Sequence, residues 1–98
     1  MVTITGKLAQ FDTNSVTPGD VFCFIQEEEL YRVIRVFDGN TIECVDFKDA
    51  IKKDGEWCRD YTKTAYFYTC NSNRTIINYG NVKGDKLRRL MSNEKKKR

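Results

Sequence analysis

The chain lacks histidine altogether and has a single proline. It also lacks any apolar run near the ~20 residues that a bilayer-spanning helix requires. Without histidine, the commonest general base and a common metal ligand are both missing. No Cys-x-x-Cys pair occurs, so the close ligand spacing of most zinc sites is absent. No Gly-rich phosphate loop of the GxxxxGK[ST] kind occurs either, and Lys83-Gly84-Asp85 offers only one glycine. These absences argue against catalysis, and the reading assigns no catalytic residue, cofactor or metal. The N-terminus has no signal peptide: Val2, Ile4, Gly6 and Leu8 alternate with polar residues instead of forming an apolar block. A cytoplasmic protein is expected, with no membrane partner.

What is present is β structure. From Thr17 to Phe47 the chain is dominated by β-branched and aromatic residues, with Pro18-Gly19 at its start and Asp38-Gly39-Asn40 in its middle. Asp-Gly between two such runs is a strong hairpin signal, because glycine tolerates the positive φ of tight turns. Strands are expected over Val2 to Phe11, Asp20 to Gln26, Leu30 to Phe37, Thr41 to Phe47, Glu56 to Tyr61, Thr64 to Cys70 and Thr75 to Tyr79. Val21 to Ile25 is apolar throughout, the pattern of a strand covered on both faces. Lys48 to Gly55 reads as a helical turn or a polar loop, with a turn at Asp54-Gly55. Asn71-Ser72-Asn73 reads as another turn. Beyond Gly80, Asp85 can cap a short helix whose Leu87, Leu90 and Met91 form one apolar stripe.

The 98 residues make one domain. It divides into a small β domain over residues 1–82 and a short helix with a basic, flexible tail over residues 83–98. The fold class is mainly β: a small barrel or a strongly bent antiparallel sheet with a short C-terminal helix. The opening Pro18-Gly19-Asp20, the long hairpin and the later short strands resemble the SH3-like small barrels over residues 16–80.

Charge divides along the same line. Residues 1–82 hold nine Lys/Arg and twelve Asp/Glu, and residues 83–98 hold eight and two. An acidic body therefore carries a basic end. Cys23, Cys44, Cys58 and Cys70 are widely spaced and read as buried, reduced thiols, with zinc or disulfides as alternatives. Asp46 and Asp49, with Glu43 on the same strand, are carboxylates that read as solvated charges.

Three features remain as candidate binding elements. Tyr66 and Tyr68 share one face of a strand, with Phe67 on the other. Placing Phe67 on the core face puts the two tyrosines on the outer surface, where they can anchor a partner protein. Glu27, Glu28 and Glu29 form an acidic loop suited to a basic partner surface. Lys83, Lys86, Arg88, Arg89, Lys95, Lys96, Lys97 and Arg98 can neutralise phosphates.

The lead expectation is a non-enzymatic interaction protein that binds and regulates or inhibits a host or cognate protein. The histidine-free, Lys/Asn/Asp-rich composition resembles phage or mobile-element accessory proteins, which implies an inhibitor of a host enzyme. The alternative is nucleic-acid binding, with the basic tail gripping phosphates and surface tyrosines stacking bases. A third reading is capture of a nucleotide-like ligand between subunits. The oligomeric state is left open.

Overall fold

A computed structural model describes residues 6–37 and 40–82. They form eight strands: β1 (Lys7–Phe11), β2 (Val21–Phe24), β3 (Tyr31–Phe37), β4 (Thr41–Asp46), β5 (Ile51–Lys53), β6 (Glu56–Cys58), β7 (Ala65–Thr69) and β8 (Asn71–Gly80). Six make one antiparallel sheet in the order β1-β8-β2-β3-β4-β7, and β5 pairs with β6 in a separate hairpin.

The sheet has to curl. Strands β7 and β8 stand four places apart in it, which in a flat sheet is about 19 Å at ~4.8 Å per strand spacing. Only Cys70 joins them, and one residue bridges at most about 7 Å between its neighbours. Of the two forms expected, barrel and bent sheet, the hydrogen bonding gives the open one. Among the described residues, strands β1 and β7 remain as edges and do not pair with each other.

The curl encloses the main core on the inner face. Phe11, Phe22, Phe24, Val33, Ile42, Cys44 and Ile76 are buried there. The phenylalanines meet edge to face, with ring centroids 5.0 Å apart for Phe11–Phe24 and 5.5 Å for Phe22–Phe24. Burying each such side chain stabilises the fold by about 1.5–3 kcal/mol. A second cluster of Val21, Cys23, Leu30 and Phe47 lies on the opposite face. Strand β2 supplies both clusters alternately, which is why its sequence is apolar at every position.

Several expectations needed correction. Strand β8 begins at Asn71, not after a turn at Asn71-Ser72-Asn73. The turn chemistry is nevertheless there: the Asn71 Oδ1 accepts a hydrogen bond from the Asn73 amide at 2.9 Å. It sits where the β1–β8 register shifts, between Gln10 and Phe11, so it forms an irregularity inside a strand. The Lys48 to Gly55 stretch holds strand β5, and the Glu56 to Tyr61 strand ends at Cys58. The Asp54-Gly55 turn is as expected: both residues have positive φ, 50° and 82°, as a two-residue hairpin loop requires. Asp38 and Gly39 lie outside the described residues, but Phe37 pairs with Thr41 as the hairpin expectation demands. Residues 83–98, with the expected helix and tail, also lie outside them. Among the described residues no helix is long and apolar enough to cross a membrane.

Candidate functional site

The site begins with an irregularity in β3. Pairing with β4 runs regularly to Val33↔Cys44 and resumes at Arg35↔Glu43, leaving Ile34 as a bulge. A bulge changes which side chains share a face. Here it brings Arg35 to the outer face already occupied by Arg32. Strict alternation would have sent Arg35 into the core.

Arg32 is completely buried. Its Nη1 donates to the Gly19 carbonyl at 2.7 Å and its Nη2 donates to the Val82 carbonyl. The guanidinium lies over the Trp57 indole, its Cζ 3.7 Å from the ring centroid, and the Lys52 ammonium approaches the same ring at 5.2 Å. Burial pulls the Arg32 pKa down to about 10, against the opposing influence of Asp20, so the group stays charged at neutral pH. Trp57 Nε1 in turn donates to Asn81 Oδ1 at 2.9 Å. Gly19 is required beneath this assembly. Its φ is +94°, and a Cβ there would lie 2.6 Å from the Asn81 amide nitrogen and 3.1 Å from the Trp57 ring. These contacts pin the β5–β6 hairpin across the outer face of the sheet.

Pinning the hairpin creates a groove of about 570 Å3. Its floor is Ile34, Arg35 and Glu43, and its wall runs from Ile51 and Trp57 through Arg59 to Tyr61. Glu43 is only 6% exposed, so the expectation of a solvated carboxylate is wrong for it. Its two oxygens face Arg35 at 3.9 Å and Arg59 at 3.6 Å. The Arg59 Nε has no hydrogen-bond acceptor among the described residues. One carboxylate therefore serves two guanidiniums at long range. Aromatic rings flank both arginines: Tyr61 under Arg59 at 4.8 Å and Phe37 under Arg35 at 5.4 Å. Tyr61 is 78% exposed and Phe67, tilted against Phe37 with centroids 6.4 Å apart, is 58% exposed.

The exposure of Phe67 reverses the assignment of faces on β7. Tyr66 and Tyr68 point to the inner side instead. The Tyr68 ring packs on Phe24 at 5.0 Å and on Tyr31 at 5.5 Å, and its hydroxyl donates to Tyr31 Oη at 3.1 Å. Tyr66 packs on Tyr31 at 5.4 Å but stays 39% exposed at the sheet's rim. The aromatic density of the core decided this, since Phe22, Phe24 and Tyr31 already need partners on that side. Glu27, Glu28 and Glu29 are exposed as expected. Glu27 is tied to Arg74 at 3.0 Å, and the Arg74 guanidinium covers the Phe24 ring at 3.6 Å. The structure thus brings the acidic loop and the two tyrosines to neighbouring positions around Phe24 and Tyr31. Lys83, Lys86, Arg88, Arg89, Lys95, Lys96, Lys97 and Arg98 fall outside the described residues.

All four cysteines are free thiols. Cys23 and Cys44 are buried, whereas Cys58 and Cys70 are half-buried, less covered than expected. Among the described residues no group of three or more potential ligands is placed to hold a metal.

Sequence reasoning missed Arg35, Arg59 and Glu43 as a unit. The signal was weak: Arg32 and Arg35 stand three apart in β3, a break in strict alternation that by itself does not say which charge meets which. Only the bulge and the pinned hairpin bring the three together. Compared with protein families, with curated proteins and with solved structures, the chain shows no match.

Proposed function

We propose that this chain is a non-enzymatic interaction module that binds a partner protein through the outer-face groove. The observation that carries the reading is the Arg35–Glu43–Arg59 constellation set among Trp57, Tyr61 and Phe37. Arginine and large aromatics dominate the energetics of protein interfaces, and they do so where a pocket excludes water around them. Glu43 meets the Arg35 and Arg59 guanidiniums only at 3.9 and 3.6 Å, so the groove stays cationic and the partner presents an acidic side chain to it, with Tyr61 as an apolar anchor beside it. Tyr66, with Glu28 and Glu29, forms a second contact region at the rim. Tyr68 and Glu27 already have structural partners. Regulation or inhibition of a host enzyme, of the phage-accessory kind, is the biological form this binding takes. The SH3-like likeness fits the short strands, the sharp curl and a binding groove on the sheet's outer side.

A nucleic-acid reading has one observation in its favour. The groove combines Lys53, Arg35 and Arg59 with Trp57 and Tyr61, and single-strand binders unite cationic grooves with stacking rings. The mild acidity of residues 1–82 favours the protein partner.

One experiment separates the two. The full chain and an Arg59→Ala/Tyr61→Ala variant are used to capture partners from a host lysate, with and without nuclease. Nuclease-resistant capture that the variant loses supports the proposal. Capture abolished by nuclease, or weakening by about 0.9 log units per neutralised phosphate for each tenfold rise in salt, supports nucleic acid instead. Capture by both proteins alike removes the groove from the account.

A further inference from the structure

We infer that β7 is a self-association edge, and that two copies of this chain pair β7 to β7 in antiparallel fashion about a two-fold axis at Phe67.

The free side of β7 can be identified atom by atom. The Cys70 amide donates to the Asn40 carbonyl at 2.6 Å, so Cys70 directs its backbone toward β4. The β4–β7 register pairs Thr41 with Thr69, Ile42 with Tyr68 and Glu43 with Phe67. Backbone groups alternate in direction along an antiparallel strand. Tyr68 and Tyr66 therefore bond to β4, while Ala65, Phe67 and Thr69 turn their N–H and C=O groups away from it. No hydrogen bond satisfies these outward groups among the described residues.

Natural sheets protect such edges with charge, proline or a bulge. Strand β7 reads Ala-Tyr-Phe-Tyr-Thr and has none of these. The other edge, β1, carries Lys7 and a register shift at Phe11. The exposed edge of β7 is thus the unguarded one.

The sequence of β7 is also self-complementary. With Phe67 on the axis, Phe67 faces Phe67 of the second copy, Tyr66 faces Tyr68, and Ala65 faces Thr69. The outward-directed residues face one another, so each such pair exchanges two hydrogen bonds. The exposed Phe67 rings meet on the outer face, and the half-open Tyr66 ring gains a Tyr68 neighbour on the inner face. No like charges come opposite within the strand. The Glu43 carboxylates sit three strand spacings apart, about 14 Å, beyond the screening length at physiological salt. A five-residue strand pair is smaller than the standard interface of about 1,600 Å2, so the association belongs to the weak, concentration-dependent class. Pairing would also extend the outer face across the axis and display two copies of the groove on one surface. The inference does not depend on partner binding: the groove variant Arg59→Ala/Tyr61→Ala should dimerise normally.

Sedimentation equilibrium of the full chain over a concentration series tests it. The expected result is a rise from the 11.5 kDa chain mass toward twice that value. Phe67→Lys places like charges face to face on the axis and should weaken association at least tenfold. Leu8→Lys, at a 68% exposed position on the other edge, should leave it unchanged. Thr69→Lys repeats the test should the first variant fold poorly. Amide hydrogen exchange supplies a readout without substitution: the Ala65, Phe67 and Thr69 amides should slow as the native chain is concentrated. A monomer mass persisting to millimolar chain overturns the inference. So does a dimer that ignores the β7 variants, or one whose Ala65, Phe67 and Thr69 amides remain fast.

Discussion

The Arg32 guanidinium lies 3.7 Å from the centre of the Trp57 ring, a cation–aromatic contact between a strand of the main sheet and a strand of the separate hairpin. The relationship makes one residue do two jobs. Arg32 closes the outer face by bonding the Gly19 and Val82 carbonyls, and its contact with Trp57 seats the hairpin that walls the groove. A cation over an indole is worth about 0.5–2 kcal/mol, more as water is excluded. Replacing Arg32 by Met removes that term and orphans two carbonyls. A loss of about 3 kcal/mol is expected, read as a lower urea midpoint. Arg32→Lys should recover little of it, since an ammonium can neither fork to both carbonyls nor stack flat. A full recovery by lysine would show that charge alone is what matters there.

Trp57 is the sole tryptophan, so its fluorescence reports on the hairpin. Asn81→Ala removes the acceptor of the indole N–H. The expected outcome is a red-shifted emission with little change in the far-ultraviolet spectrum, since the six-stranded sheet does not depend on the hairpin for its hydrogen bonds. Unchanged emission would mean that Arg32 holds the ring unaided.

Glu43→Gln probes the centre of the groove. The substitution keeps shape but takes away the charge that faces Arg35 and Arg59. Arg35 is well solvated and loses little. Arg59 is three-quarters covered and loses its one anionic contact among the described residues. A destabilisation of about 1–3 kcal/mol is expected in denaturant titrations, and it should shrink when Arg59→Met is made as well.

The two tyrosines of β7 should behave differently. Tyr68→Ala empties a site bounded by Phe24 and Tyr31, and should cost about 3 kcal/mol. Tyr66→Ala, at the rim, should cost less than half of that. Equal losses measured by thermal and urea unfolding would place both rings in the core.

Ionisation of buried acids should destabilise the protein at alkaline pH. Burial pushes the Cys44 thiol up to about 12 from an ordinary 9.0, with the Glu43 carboxylate adding to the effect. Burial raises Tyr31 as well, and its hydrogen bond with Tyr68 adds to that. Both acids are harder to ionise folded than unfolded, so the unfolded chain releases protons first. Their contribution is complete below pH 9 and is lost as pH climbs from there toward the folded values. Urea midpoints should therefore fall from about pH 9 upward, and Cys44→Ala should flatten the first part of that fall. At neutral pH a thiol reagent should reach half-buried Cys58 before Cys23 or Cys44.

What the sequence by itself determined is the local layer. Alternation and turn residues marked most of the strands, because side-chain period and turn φ are properties of a few neighbouring residues. The two-sided burial of β2 was legible for the same reason: no polar residue interrupts Val21 to Phe24. Tertiary structure decided everything that depends on which face a strand turns inward. Tyr66, Phe67 and Tyr68 are equally at home on either side of a strand, and only the aromatic core around Phe22, Phe24 and Tyr31 selected the tyrosines. The bulge at Ile34 shows in the sequence only as two arginines spaced three apart, and that spacing does not say that Arg35 will meet Glu43. Arg59 reaches the same carboxylate from a loop sixteen residues further along, held there by a stack between Arg32 and Trp57. Contacts of that kind are made by the closing of the whole chain, so no local stretch of residues encodes them.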